Sequence, residues 1–235
     1  LCIGSNNRRY YEARGVEAKC LFSMPYTVDN NFFKIRIEEA SKTRDEFRAS
    51  LGIKENCLVI LYAGKLQARK HPLTLLQAFN LLDTDAKNAP YLLYVGDGEQ
   101  RSDLDQLAKD AGDRVKILGF KNQTELPAFY DLADIFVLAS EKEPWGLSVN
   151  EAMLGGCVPI VTNECGSAAD LIDKTTGRVV DPGNAEDLFV ALKDLTSNPD
   201  HLAELGASTR ARIQTWGLEQ SVEGLRYALA QLSAL

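Results

Sequence analysis

No apolar run approaches the roughly 20 residues that cross a bilayer. The opening residues, LCIGSNNRRYY, also lack a charged start followed by an apolar stretch, so neither a transmembrane helix nor a signal peptide is read from the sequence. Histidine is scarce, with two in 235 residues. Neither His71 nor His201 stands in a G-x-S-x-G or similar context, which removes the common serine-nucleophile arrangements. The five cysteines are odd in number and have no C-x-x-C spacing. With only two imidazoles to join them, they read as reduced structural thiols of a cytosolic protein rather than a disulfide framework or a zinc site. An excess of basic charge is missing too: 26 Lys+Arg against 33 Asp+Glu give a formal net charge of −7. That balance argues against a non-specific nucleic-acid or anionic-membrane surface and makes any anion site a local one. There is no internal repeat and no low-complexity segment. Without an initiating methionine, the chain reads as a fragment.

What is present is a chain 45% apolar, enough to bury a sizeable core. From residue 57 onward, short apolar runs alternate with longer amphipathic segments, the signature of repeated βαβ units. Strands are expected at 57–64, 91–97, 114–119, 134–140 and 158–162, with a short one at 177–181. Runs apolar throughout suit strands buried on both faces of a parallel sheet. Between them lie helical patterns, with Ser102, Thr124, Ser148 and Asn184 where N-caps are expected and Gly112 and Gly155 near helix ends. Right-handed crossovers then leave an α/β, Rossmann-like, doubly wound parallel sheet as the expected fold. The final stretch from Pro199 reads as two helices broken around Trp216 and Gly217. The first 38 residues differ: a helical GSNNRRYYEARG, a short strand KCLFS, then an irregular MPYTVDNNFF.

In such a sheet ligands bind beyond the carboxyl ends of the strands. The fourth strand runs into SEKEPWGLSVNEAMLGGCVPIV, where Glu143 and Glu151 are separated by seven residues across a Pro-Trp-Gly turn and a helix start. Backbone N–H groups from Gly146 and Leu147 onward can face an anion at the positive end of that helix. A carboxylate at Glu151 can accept two hydrogen bonds from a vicinal diol, and Glu143 can reach hydroxyls farther out. Taken alone, Glu143 reads as a loop carboxylate and Glu151 as a dipole-compensating residue in the first turn of the helix. The first strand ends in YAGKLQARKHPLTLLQAF, whose Lys65, Arg69 and Lys70 form either an anion site or a solvated basic cluster. Gly96-Asp97-Gly98 after the second strand is at least a tight turn, and lacks the third glycine of a dinucleotide fingerprint. Asp83-Thr84-Asp85 follows a helix rather than a strand and reads as a surface loop.

Together these strings resemble the glycosyltransferase group 1 family, the family 4 retaining enzymes of GT-B fold, whose E-x7-E motif continues E-A-M-A-x-G-x-P-V-I where this chain has EAMLGGCVPIV. Its V-G-R-L-x-x-x-K-G stretch corresponds to AGKLQARKH, with Lys65 at the arginine position, Lys70 at the lysine and His71 at a glycine. Lysine at 65 supplies charge without the bidentate fork of arginine. Asp170 keeps the charge of a family glutamate, and no role is assigned to it. The resemblance runs from about Ser5 past Trp216. It implies that Glu151 binds the ribose of a nucleotide diphosphate sugar, that Glu143 contacts the transferred sugar, and that Lys65 and Lys70 contact the diphosphate. Gly64, Gly96, Phe120, Lys121, Trp145, Gly146 and Leu147 would complete the donor site, with Phe120 to Asn122 near the base.

The family pattern further implies a retaining hexosyl transfer, without a metal or other cofactor, from a UDP- or GDP-sugar to an acceptor hydroxyl. Glu143, Lys65 and Lys70 would be the catalytic group. Residues 1–38 would be the tail of an N-terminal acceptor domain plus a linker, 39–216 the nucleotide-sugar domain, and 217–235 a helix crossing back. The acceptor, a glycan or another hydroxyl compound, would reach the enzyme through the missing domain. Neither nucleic acid nor direct membrane contact is expected of this chain, whose location would be the cytoplasm or the inner face of a membrane. Alone, it is expected to bind donor weakly and transfer nothing, because closure of both domains completes such sites. Two other readings share the fold: a nucleotide-binding module without catalysis, and a sugar-nucleotide 2-epimerase, whose acid and base groups the sequence does not display. A nicotinamide-dependent oxidoreductase requires G-x-G-x-x-G after the first strand, which YAGKLQARK does not supply.

Overall fold

A computed structural model describes residues 1–83 and 88–232; Thr84 and Asp85 of the D-x-D stretch lie outside them. Six strands form one sheet: β1 (Val59–Ala63), β2 (Tyr91–Val95), β3 (Val115–Ile117), β4 (Ile135–Leu138), β5 (Val158–Thr162) and β6 (Arg178–Val180). Their order is β3-β2-β1-β4-β5-β6 and every pairing is parallel. β1, β2, β4 and β5 are buried along their whole length, because helices cover both faces.

The period-2 alternation of a strand divides the core into two layers. From β1, Val59, Leu61 and Ala63 point to one face and Ile60 and Tyr62 to the other. The first face is covered by α2 (Asn30–Ser41), α3 (Arg44–Ser50), α6 (Leu126–Leu132) and α7 (Leu147–Gly155). The second carries α4 (Pro72–Asn80), α5 (Arg101–Leu107), α9 (Ala185–Ser197) and the first half of α10 (Pro199–Gln214). A short α8 (Ala168–Leu171) receives α1 (Ser5–Glu12), and α11 (Leu218–Leu232) follows a break at Trp216 and Gly217. No helix among the described residues is long and apolar enough to cross a membrane.

Several local expectations need correction. KCLFS is a 3-10 turn at Ala18–Cys20 followed by a single bridge between Ser23 and Cys2. MPYTVDNNFF is irregular only as far as Asp29, whose carboxylate caps the backbone N–H of Phe32 at 3.0 Å and starts α2. That helix runs through the expected boundary at 38/39, and its Phe33 and Ile37 are buried in the core. Of the four expected N-caps, only Asn184 takes the role, accepting from the Asp187 N–H at 3.1 Å. α5 starts one residue before Ser102, α6 starts two residues after Thr124, and α7 has Gly146 ahead of Ser148. α5 and α7 are entered through backbone turns without a capping side chain, whereas ahead of α6 the Asn122 Oδ1 accepts from the Thr124 and Glu125 N–H groups at 2.9 and 3.2 Å and the Asn122 N–H donates to Glu125 Oε2 at 3.0 Å.

Candidate functional site

β1 and β4 are neighbours whose crossovers leave in opposite directions, to β2 and to β5. At such a switch point the departing loops diverge and leave a crevice beyond the strand ends. A cavity of about 350 Å³ opens there, lined by Gly64, Lys65, Gly96, Phe120, Lys121 and Glu151, with Tyr130, Ser148 and Asp97 among their neighbours. Gly96 has φ 143, and a Cβ on it would collide with the Gly64 carbonyl oxygen, so the β1 and β2 loops pass at a distance only glycine allows.

The remaining expected residues stand elsewhere. Lys70 and Glu143 meet each other: Nζ lies 2.5 Å from Oε2, each side chain is 14% exposed, and the Arg69 guanidinium is 3.9 Å from the same oxygen. Both residues adjoin left-handed backbone, His71 at φ 50 after Lys70 and Lys142 at φ 51 before Glu143. His71 therefore adopts the conformation that a glycine would supply at that position, for about 1–2 kcal/mol. Pro72 then begins α4 with its φ already fixed.

At the start of α7, Gly146 has φ 87, and a Cβ there would sit 2.7 Å from Leu138 Cδ2 and 3.0 Å from Cys165 Sγ. No side chain caps this helix. Leu147 packs against the core. Trp145 is a core residue too, 2% exposed, stacked on Trp216 with centroids 5.3 Å apart and donating its indole N–H to Asn150 Oδ1 at 2.9 Å. Its ring does not line the cavity; it ties the turn to the break before α11.

Glu151 projects into the cavity from α7. The hydroxyl of Tyr130, on α6, donates to its Oε2 at 2.7 Å. Burial raises the Glu151 carboxyl above its ordinary range, and the Tyr130 hydrogen bond draws it partly back. The Tyr130 phenol is pushed up in turn, by burial first and then by the Glu151 charge. Sequence reasoning passed over Tyr130; its one signal is a hydroxyl at the end of the otherwise apolar stretch LPAFY. Asp170 serves the N-terminal segment, accepting from Ser5 through its N–H at 2.9 Å and its hydroxyl at 2.5 Å.

This arrangement offers a carboxylate for a diol and a lysine for an anion in one cavity, with a second cation and carboxylate held together outside its lining. The chain is 32% identical over 190 residues to a D-inositol 3-phosphate glycosyltransferase of Rhodococcus opacus, covering 77% of this chain and 43% of that one. It is 30% identical to a GDP-mannose-dependent monoacylated alpha-(1-6)-phosphatidylinositol monomannoside mannosyltransferase of Corynebacterium glutamicum, covering 83% and 52%. The chain thus spans about half the length of these curated relatives. Among solved structures, Anabaena HepE in complex with UDP superposes with a TM-score of 0.79 at 20% identity, covering all of this chain and 63% of that one. Residues 43–212 match the family model of glycosyl transferases group 1, and the chain belongs to that family.

Proposed function

We propose that this chain is the nucleotide-sugar-binding half of a retaining glycosyltransferase that moves a hexose from a UDP- or GDP-sugar to an acceptor hydroxyl without a metal. The observation that carries the proposal is Glu151, oriented by Tyr130, in one cavity with Lys65 at the β1/β4 switch point. Its carboxylate accepts both hydroxyls of a ribose, and the cations of the 65–70 loop face the diphosphate. When the bond between sugar and phosphate breaks, negative charge gathers on the leaving diphosphate, and preorganised cations stabilise it most at that moment. Glu143 meets the sugar hydroxyls once Lys70 turns to phosphate. The relatives support either base, one being solved with UDP and another named for GDP-mannose.

Calorimetric titration with UDP, GDP and ADP tests this reading. One nucleotide is expected to bind saturably, and Glu151→Ala to weaken it by about 1–3 kcal/mol. Equal binding by the variant would exclude the ribose role. A second reading, a nucleotide-binding module without catalysis, draws on the closed Lys70–Glu143 pair, which leaves Glu143 engaged. It predicts that a nucleotide and its sugar conjugate bind equally well.

A further inference from the structure

The loop from Gly64 to Pro72 carries three cations but has little regular structure of its own, only a 3-10 turn at Ala68–Lys70. On one side it leans on the β2 loop, where the Leu66 N–H donates to the Asp97 carbonyl and the Gln100 N–H to the Leu66 carbonyl, each at 3.0 Å. Beneath it stand two tyrosines that neither the family motif nor the cavity accounts for. Tyr62 on β1 and Tyr94 on β2 are register partners, with rings 5.3 Å apart, and both are buried. The Tyr62 hydroxyl donates to the Lys65 carbonyl at 2.7 Å, and the Tyr94 hydroxyl to the Pro72 carbonyl at 2.8 Å. The two phenols thus hold opposite ends of one loop, and that loop is the cationic one.

A core needs no hydroxyl at these positions. Phenylalanine would fill the same volume without burying a polar group, and a buried hydroxyl is tolerated only where it finds a partner. Here both partners are carbonyls of the same irregular segment. The charges that act on the Tyr62 phenol are Arg69 and Glu143, so it lies within electrostatic reach of the ion pair.

Resting on the donor-binding reading above, we propose that Tyr62 and Tyr94 are positioning residues, two buried struts that fix both ends of the 64–72 loop and so aim Lys65 and Lys70 at a diphosphate. Their removal should loosen the loop and weaken the contacts the loop makes, while contacts from α7 stay as they are.

The test uses the 235-residue chain and its Tyr62→Phe, Tyr94→Phe and doubly substituted variants. Without ligand, hydrogen exchange in peptides covering 64–72 should quicken about 3- to 10-fold per lost bond, with β4 and α7 unchanged. With ligand, affinity for the nucleoside diphosphate that binds best among UDP and GDP should fall by a similar factor, and that for the matching monophosphate should hold, since Glu151 and the ribose are untouched. Unchanged exchange in the loop overturns the proposal, as does an equal loss for diphosphate and monophosphate. If the wild-type chain binds neither nucleotide, the donor reading fails, and loop exchange alone decides whether the struts hold the loop.

Discussion

In the proposed donor site, Glu151 has two demands on it that pull apart. A diol acceptor works best ionised, yet burial favours the protonated carboxyl. A carboxyl whose pKa rises on folding adds stability only while protonated; that contribution is complete below its ordinary 4.5 and is lost as pH climbs through the folded value. The ionised residue therefore weakens the fold near neutrality. Glu151→Gln, which keeps an acceptor for the Tyr130 hydroxyl, is expected to raise the unfolding midpoint at about pH 7 and to match wild type below its ordinary 4.5. Denaturant melts across that range decide the matter, and a variant less stable than wild type at neutral pH would contradict it. The same substitution should impair nucleotide binding, a stability gained where function is lost.

Among the elements, α7 shows how a turn without a capping residue can start a helix. Gly146 supplies the left-handed residue and leaves no room for a side chain between Leu138 and Cys165. Gly146→Ala combines a left-handed penalty of about 1–2 kcal/mol with overpacking of about 1–3 kcal/mol. A loss of about 2–4 kcal/mol in unfolding free energy is expected, read from urea denaturation; a loss under about 0.5 kcal/mol would mean that the turn relaxes freely. Elements like β1 and β4 were legible in the sequence because strands buried on both faces need unbroken apolar runs, and these stand out. α2 was not: Asn30 and Asn31 look like turn residues, and Lys34, Arg36, Glu38 and Glu39 dilute the apolar signal of Phe33 and Ile37. Within the site, motif spacing located the loops that meet at the crevice, since strand ends dictate where loops emerge. Side-chain direction was not readable. Trp145 turns into the core because Trp216, 71 positions on, offers it a stacking face, and Lys70 turns to Glu143 across a gap that only the folded chain closes. The same holds for Tyr130 and Glu151, whose partnership depends on α6 and α7 packing side by side.

Seen whole, the sheet is two runs of consecutive strands, β1 to β3 and β4 to β6, joined along a single seam. Val59 and Asp134 mark the base of that seam, 75 residues apart: the Val59 N–H donates to the Asp134 carboxylate at 2.8 Å and the Asp134 N–H to the Val59 carbonyl at 2.9 Å. Pairing across such a separation requires closing a long loop before any contact rewards it, which makes it slow compared with the local βαβ pairings on either side. Asp134→Ala is accordingly expected to slow refolding in stopped-flow measurements more than it speeds unfolding; the reverse result would put seam closure after the rate-limiting step. The order of events then has a consequence for a chain leaving the ribosome. Once residues through β3 have emerged, half a sheet can form, but it has only one wall of the crevice. The other wall arrives with β4 and α7, so a nucleotide held as proposed above would bind, and by binding favour the fold, only after the two halves have already found each other.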